Sequence, residues 1–181
     1  MVSPSNNTSI IVLVGLSGSG KSTVGRAAAS RLGWRFVDLD REIERRTGIS
    51  VSDIFSTHGE AFFRSLECEV TADLLEQTVG RLVLASGGGW ITNSAAVELA
   101  LIESRTIYLK VSPETALARL GSERSNRPLL QGSDPLGSLL RLLMEREVYY
   151  SRAHFVIDTD VFDLQGVIDE VVRLGGVVRA E

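Results

Sequence analysis

Residues 10–23 read IIVLVGLSGSGKST, and no other stretch restricts the fold so tightly. The run 10–14 is continuously apolar and rich in β-branched residues, the mark of a strand buried on both faces. Residues 22–32 have helical composition and stop at Gly33. Between strand and helix, Gly15 to Ser22 fits the pattern G-x-x-x-x-G-K-[ST]. Its glycines let successive N–H groups turn inward as an anion nest. The helix that follows opens with unpaired donors and a positive dipole end. Gly18, Ser19, Gly20, Lys21, Ser22 and Thr23 are therefore the candidate contacts to a polyphosphate. Lys21 can reach the β- and γ-phosphates, and Ser22 Oγ can ligate Mg2+. The motif specifies ATP or GTP with Mg2+ and leaves the acceptor open.

The rest of the chain repeats the alternation. Short apolar runs at 35–38, 82–85, 106–111 and 154–158 read as four more strands. Helical patterns separate them. Over 60–79, Phe62, Leu66, Val70 and Leu74 recur every fourth residue along one stripe. Ser112 followed by Pro113 is a helix start, and 136–151 and 164–174 read as the last two helices. Strand–helix alternation implies right-handed crossovers and a three-layer α/β/α sandwich around a parallel sheet. At 181 residues, one domain is expected over 10–181, after a polar, disordered tail over 1–9. The Gly-, Ser- and Pro-containing stretch 121–137 reads as a lid, and its Arg124 and Arg127 are sources of positive charge for a transition state.

Composition narrows the partners. Apolar residues at 44% and charged residues at 23% exclude a mostly disordered chain. A formal charge of −4 speaks against a general nucleic-acid binder. One cysteine, Cys68, and two histidines, His58 and His154, make neither an intramolecular disulfide nor a Cys/His zinc site. No leader pattern and no membrane-length apolar run are visible, so the cytoplasm is the expected compartment. Arginine supplies 17 cations and lysine only two, which suits planar grips on carboxylate or phosphate.

Three further clusters bear on an acceptor. Asp38-Leu39-Asp40 follows the second strand, where an open parallel sheet lines its ligand crevice. One carboxylate can hold a metal-bound water and the other accept a hydroxyl proton, unless Asp40 merely caps a helix starting at Arg41. Arg64 has Glu67 three residues on, either an oriented guanidinium or a plain surface ion pair. Ser86-Gly87-Gly88-Gly89 closes the third strand, and three costly glycines there imply either a close backbone approach to a ligand or a tight turn.

Together these residues resemble the shikimate kinase family. The resemblance runs through GLSGSGKST, D-L-D at 38–40, Asp53-Ile54-Phe55, Gly59-Glu60, Phe63-Arg64-x-x-Glu67, Gly87-Gly88-Gly89, Arg127-Pro128-Leu129-Leu130, and Arg146 with Tyr149, in family order over about 10–158. It implies a P-loop kinase with a five-stranded parallel sheet in the order 2-3-1-4-5, substrate-binding helices at about 40–80 and a mobile lid. It implies phosphorylation of the shikimate 3-hydroxyl, in aromatic amino acid biosynthesis, with ATP as co-substrate and Mg2+ as cofactor. Asp38, with Ser22, would hold Mg2+. Asp40 would bind shikimate hydroxyls and act as general base. Arg64 and Arg146 would clamp the shikimate carboxylate, and Gly87, Gly88 and Gly89 would offer backbone donors. Lys21 and Arg127 would neutralise phosphate charge, and Arg119 would contact the adenine. ATP and shikimate are the implied partners, with no nucleic acid, no membrane and a monomeric state. Trp90 stands where the family more often has a small residue, and Leu120 where its adenine-contacting arginine aligns. A gluconate kinase-like enzyme and a catalytically silent nucleotide-binding regulatory domain are the alternatives.

Overall fold

β1 (Ile10–Val14) lies at the centre of a five-stranded parallel sheet in the order β2-β3-β1-β4-β5. β2 is Arg35–Asp38, β3 Leu82–Ala85, β4 Arg105–Lys110 and β5 Phe155–Asp158. A computed structural model describes residues 9–77, 80–121, 128–130 and 132–176. The expected strand order and sandwich are both present. β1 alternates between two cores: Ile10, Val12 and Val14 face one, and Ile11 and Leu13 the other. That two-sided burial explains its unbroken apolar run.

Two helices cover one face. α1 (Lys21–Leu32) and α7 (Leu164–Gly176) pack Val24, Ala28, Val167 and Val171 onto Ile11 and Leu13. The opposite face carries α2 (Leu39–Thr47), α3 (Val51–Gln77), α4 (Ser94–Glu103), α5 (Pro113–Leu120) and α6 (Pro135–Tyr150). Ser112 caps α5 by accepting from the Thr115 amide, with Pro113 at the first helical position, as its sequence indicates. α6 begins after Asp134, so residues 135–137 of the expected lid belong to a helix.

Strand register aligns the carboxyl ends. Leu13 and Asp38 both pair with Ala85, Val14 pairs with Tyr108, and Lys110 pairs with Asp158. The loops leaving these strands therefore emerge along one edge of the sheet, where ligands of open α/β sheets sit.

α3 departs from the sequence reading in two ways. It starts nine residues before Glu60 and bends at Gly59 (φ 81°, ψ 172°). The buried stripe keeps Val70 and Leu74 but lies one residue off over its first two positions. Phe62 is 43% exposed, whereas Phe63, Glu67, Val70 and Leu74 are buried. Counting only apolar residues selected Phe62 and Leu66 because the true face contains an acid. Burying Glu67 costs desolvation that only a partner can offset, and that partner sits in the candidate site.

Candidate active site

The phosphate loop adopts the conformation its glycines permit. Gly15, Gly18 and Gly20 have φ of 148°, 86° and 90°. A Cβ on Gly18 would come within 2.4 Å of the Ala116 carbonyl oxygen, so no larger residue fits. Gly20 caps α1 without any side-chain hydrogen bond, leaving the positive helix end facing the loop. Lys21 is buried, and its ammonium donates to the carbonyls of Gly15 (2.7 Å) and Leu16 (2.8 Å). It thereby lies within the curve of the loop.

Two cavities adjoin along this edge. The smaller, of about 370 Å³, runs from Gly18–Thr23 to Arg119, Leu120 and Phe162. Arg119 is pinned there by Thr159, donating to its hydroxyl (2.8 Å) and its carbonyl (2.7 Å). One end of this cavity is thus an anion cradle, and the other combines apolar walls with a guanidinium. The larger, of about 600 Å³, is lined by Phe55, Phe63, Arg64, Glu67, Gly89 and Arg146. Both cavities reach Ser17, Ser22, Asp38, Asp40 and Gly88. Two ligands bound in them would meet along these residues, with Asp38 and Asp40 between them.

Asp38 and Asp40 divide their work. Asp38, not Asp40, caps α2, with Oδ1 accepting from the Arg41 amide at 3.3 Å. Its Oδ2 accepts from Ser22 Oγ at 2.5 Å. A carboxylate and a hydroxyl in contact beside the phosphate loop are hard oxygen donors of the kind Mg2+ takes when substrate phosphates and water complete its shell. No group of three or more His, Cys, Asp or Glu among the described residues could hold a metal by itself. Asp40 sits in the first turn of α2 with a buried Oδ1.

The larger cavity brings two arginines together. Arg64 donates to Glu67 at 2.6 Å and to Glu60 at 2.7 and 3.2 Å. Its partner Glu67 is fully buried, and burial pushes that carboxyl up to about 7 despite Arg64 beside it. The plain surface ion pair is thereby excluded. Arg146 is also buried and donates to the Gly88 carbonyl at 2.9 Å. Glu67 Oε1 and Arg146 Nε have no hydrogen-bond partner among the described residues.

The three glycines admit the side chains around them. None has positive φ, so a special turn conformation is not their reason. A Cβ on Gly87 would lie 2.6 Å from Glu67 Oε1 and 2.8 Å from Asp40 Oδ1. On Gly88 it would meet Ser17 Oγ at 2.7 Å, and on Gly89 the Arg64 guanidinium at 2.2 Å. Trp90 does not obstruct this cavity. It is fully buried, and its indole N–H donates to Thr71 Oγ1 at 2.9 Å. Arg124 and Arg127 lie outside the described residues, as do residues 1–8 of the expected tail.

Sequence reasoning missed Tyr150. It paired Arg146 with Tyr149, which is 41% exposed, whereas Tyr150 is 1% exposed and donates to the Gly88 carbonyl at 3.0 Å. Spacing could not choose between them, because residues three and four after Arg146 both neighbour it on the helix. Phe162, on the wall of the smaller cavity, was missed for want of any local pattern.

Residues 17–174 match a family model described as shikimate kinase. The chain belongs to the shikimate kinase family. A shikimate kinase of Moorella thermoacetica is 44% identical over 161 residues, covering 89% of this chain and 91% of the relative. The shikimate kinase of Chlorobaculum tepidum is 40% identical over 173 residues, with 91% and 89% covered. Among solved structures, shikimate kinase from Acinetobacter baumannii in complex with shikimate superposes with a TM-score of 0.85 at 38% identity, over 91% of each chain. A gluconokinase from Sinorhizobium meliloti has a TM-score of 0.57 at 19% identity over 90% of this chain and 89% of its own, a likeness of fold alone.

Proposed function

We propose that this shikimate kinase transfers the γ-phosphoryl group of ATP to the 3-hydroxyl of shikimate, in the cytoplasm and as a monomer, within aromatic amino acid biosynthesis. One observation carries the reading: an anion-cradling cavity and a cavity lined by Arg64 and the buried Arg146 adjoin at two carboxylates, Asp38 and Asp40, and Asp38 is already engaged by Ser22. Shikimate is a compact ring acid with hydroxyls. Its carboxylate calls for a cation fork and its hydroxyls for acceptors. Arg64 and Arg146 take the first role, with Glu67 holding the Arg64 plane, and Asp40 takes the second. Gly87, Gly88 and Gly89 let these groups close on the ring.

In the reaction, Lys21 and the α1 N-terminus hold the phosphates, and Arg119 holds the base. Ser22 and Asp38 are the residues that would hold Mg2+, which neutralises charge on the phosphate oxygens when bound. The Asp40 carboxylate receives the proton of the attacking hydroxyl as the phosphoryl group passes across, a step that depends mainly on positioning and charge. Arg127 adds positive charge once both substrates are in place, limiting loss of ATP to water.

No helix among the described residues is long and apolar enough to cross a membrane. The reading is tested by coupled ADP release with shikimate, with gluconate and without acceptor. Release that depends on shikimate alone supports it. Equal release with gluconate, or none with any acceptor, refutes it.

A further inference from the structure

The Gly88 carbonyl receives two hydrogen bonds from the same helix. Arg146 donates Nη1–H at 2.9 Å and Tyr150 its hydroxyl at 3.0 Å. One face of Gly88 also abuts the phosphate loop, close enough that a Cβ would strike Ser17. Gly88 is therefore held between the nucleotide cradle and α6, at the place where the two cavities meet.

The Tyr150 ring needs no such bond to stay where it is. It is buried and stacks on Tyr108 with centroids 4.7 Å apart and planes 12° apart. Tyr108 directs its own hydroxyl elsewhere, to Glu147 at 3.0 Å. Two tyrosines thus share one stack, but only one of them touches the acceptor cavity's glycine loop. Burial pushes the Tyr150 hydroxyl up to about 12, so it remains a donor at working pH.

We propose that Tyr150 is a positioning residue for acceptor binding: its hydroxyl, sharing the Gly88 carbonyl with Arg146, fixes both the orientation of the 88–89 peptide and the placing of the Arg146 guanidinium. The physical reason is directional. With a single donor on the carbonyl, the peptide can rotate and carry Arg146 with it. With two donors from successive turns of one helix, rotation breaks at least one bond in a buried setting, where an unsatisfied carbonyl is costly. The 88–89 peptide in turn positions Gly89 against Arg64, so one hydroxyl orders both halves of the carboxylate clamp.

This inference rests on the shikimate reading above, and the experiment separates the two. Wild type, Tyr150→Phe and Tyr108→Phe are compared for KM of shikimate and of ATP, for kcat, for shikimate affinity by calorimetry without nucleotide, and for melting temperature. Wild-type turnover of shikimate tests the reading itself. Tyr150→Phe is expected to raise the shikimate KM and dissociation constant about tenfold, the size of one buried hydrogen bond. Its ATP KM stays near wild type. Tyr108→Phe removes a hydroxyl from the same stack and leaves shikimate affinity near wild type. A Tyr150→Phe enzyme with wild-type shikimate KM, or with both KM values raised together, overturns the proposal. So does a Tyr150→Phe chain that fails to fold, since that would assign the hydroxyl to stability.

Discussion

Substituting Gly89 by alanine isolates the packing around Arg64, half of the proposed carboxylate clamp. Gly89 has φ −100° and ψ −3°, a conformation alanine can adopt, so the backbone imposes little penalty. The new methyl is the perturbation. It would lie 2.2 Å from Arg64 Nη2, 2.7 Å from Cζ and 2.8 Å from Nη1, where ordinary contact begins at 3.4 Å. The guanidinium must therefore retreat by more than about 1 Å. Its bond to Glu67, now 2.6 Å, cannot survive such a shift in place. Losing one charge-assisted bond and the alignment of the fork costs about 1.5–3 kcal/mol, or roughly ten- to a hundredfold in binding. The assay is coupled ADP release at saturating ATP with shikimate varied, then the converse. Shikimate kcat/KM should fall by that factor, carried by KM, while ATP KM stays within about twofold. A folded Gly89→Ala enzyme with a wild-type shikimate KM would refute the claim that this glycine exists to admit Arg64.

Lys21→Ala should abolish turnover, by about a thousandfold or more, if Lys21 holds the phosphates as proposed, beyond whatever melting change follows from losing its bonds to the Gly15 and Leu16 carbonyls; near-normal turnover sinks that role. Asp38→Asn should raise the Mg2+ concentration needed for half-maximal rate and leave the shikimate KM near wild type, and an unchanged Mg2+ titration would count against it. Glu67 has a folded pKa raised from 4.5 to about 7 by burial, so the folded state binds more protons between those values and loses stability as pH climbs through them. The stability deficit of Glu67→Gln relative to wild type should accordingly be smaller at pH 8 than at pH 5 by denaturant melts, and a pH-independent difference would contradict the burial argument.

Much of this molecule was legible in its residues alone. The strand–loop–helix at 10–32 follows from local rules: a two-sided apolar run, glycines where φ must be positive, and a lysine at fixed spacing. Strand positions and the helix start at Ser112–Pro113 were expected from local pattern and are present, and so is the sheet order that the family resemblance implied. These features depend on near neighbours along the chain, and on a topology with few alternatives.

Other features depend on what lies opposite, which no periodicity encodes. Phe62 and Phe63 are equally apolar in sequence, and only the neighbouring acid Glu67, buried against Arg64, shows which of them faces inward. The glycines at 87–89 do form a turn, closed by the Trp90 amide donating to the Gly87 carbonyl at 3.2 Å, but only the Glu67, Asp40, Ser17 and Arg64 side chains packed against them show why all three lack a side chain. Trp90 looks like an obstruction until its indole is seen turned to Thr71 in the core. Tyr149 and Tyr150 differ by one position on α6, yet a turn of about 100° per residue puts one at the surface and the other on the Gly88 carbonyl. Sequence determined which chemical groups this chain owns and the order in which they follow one another. Tertiary packing decided which of them face each other, because burial and hydrogen bonding are set by contacts between segments far apart along the chain.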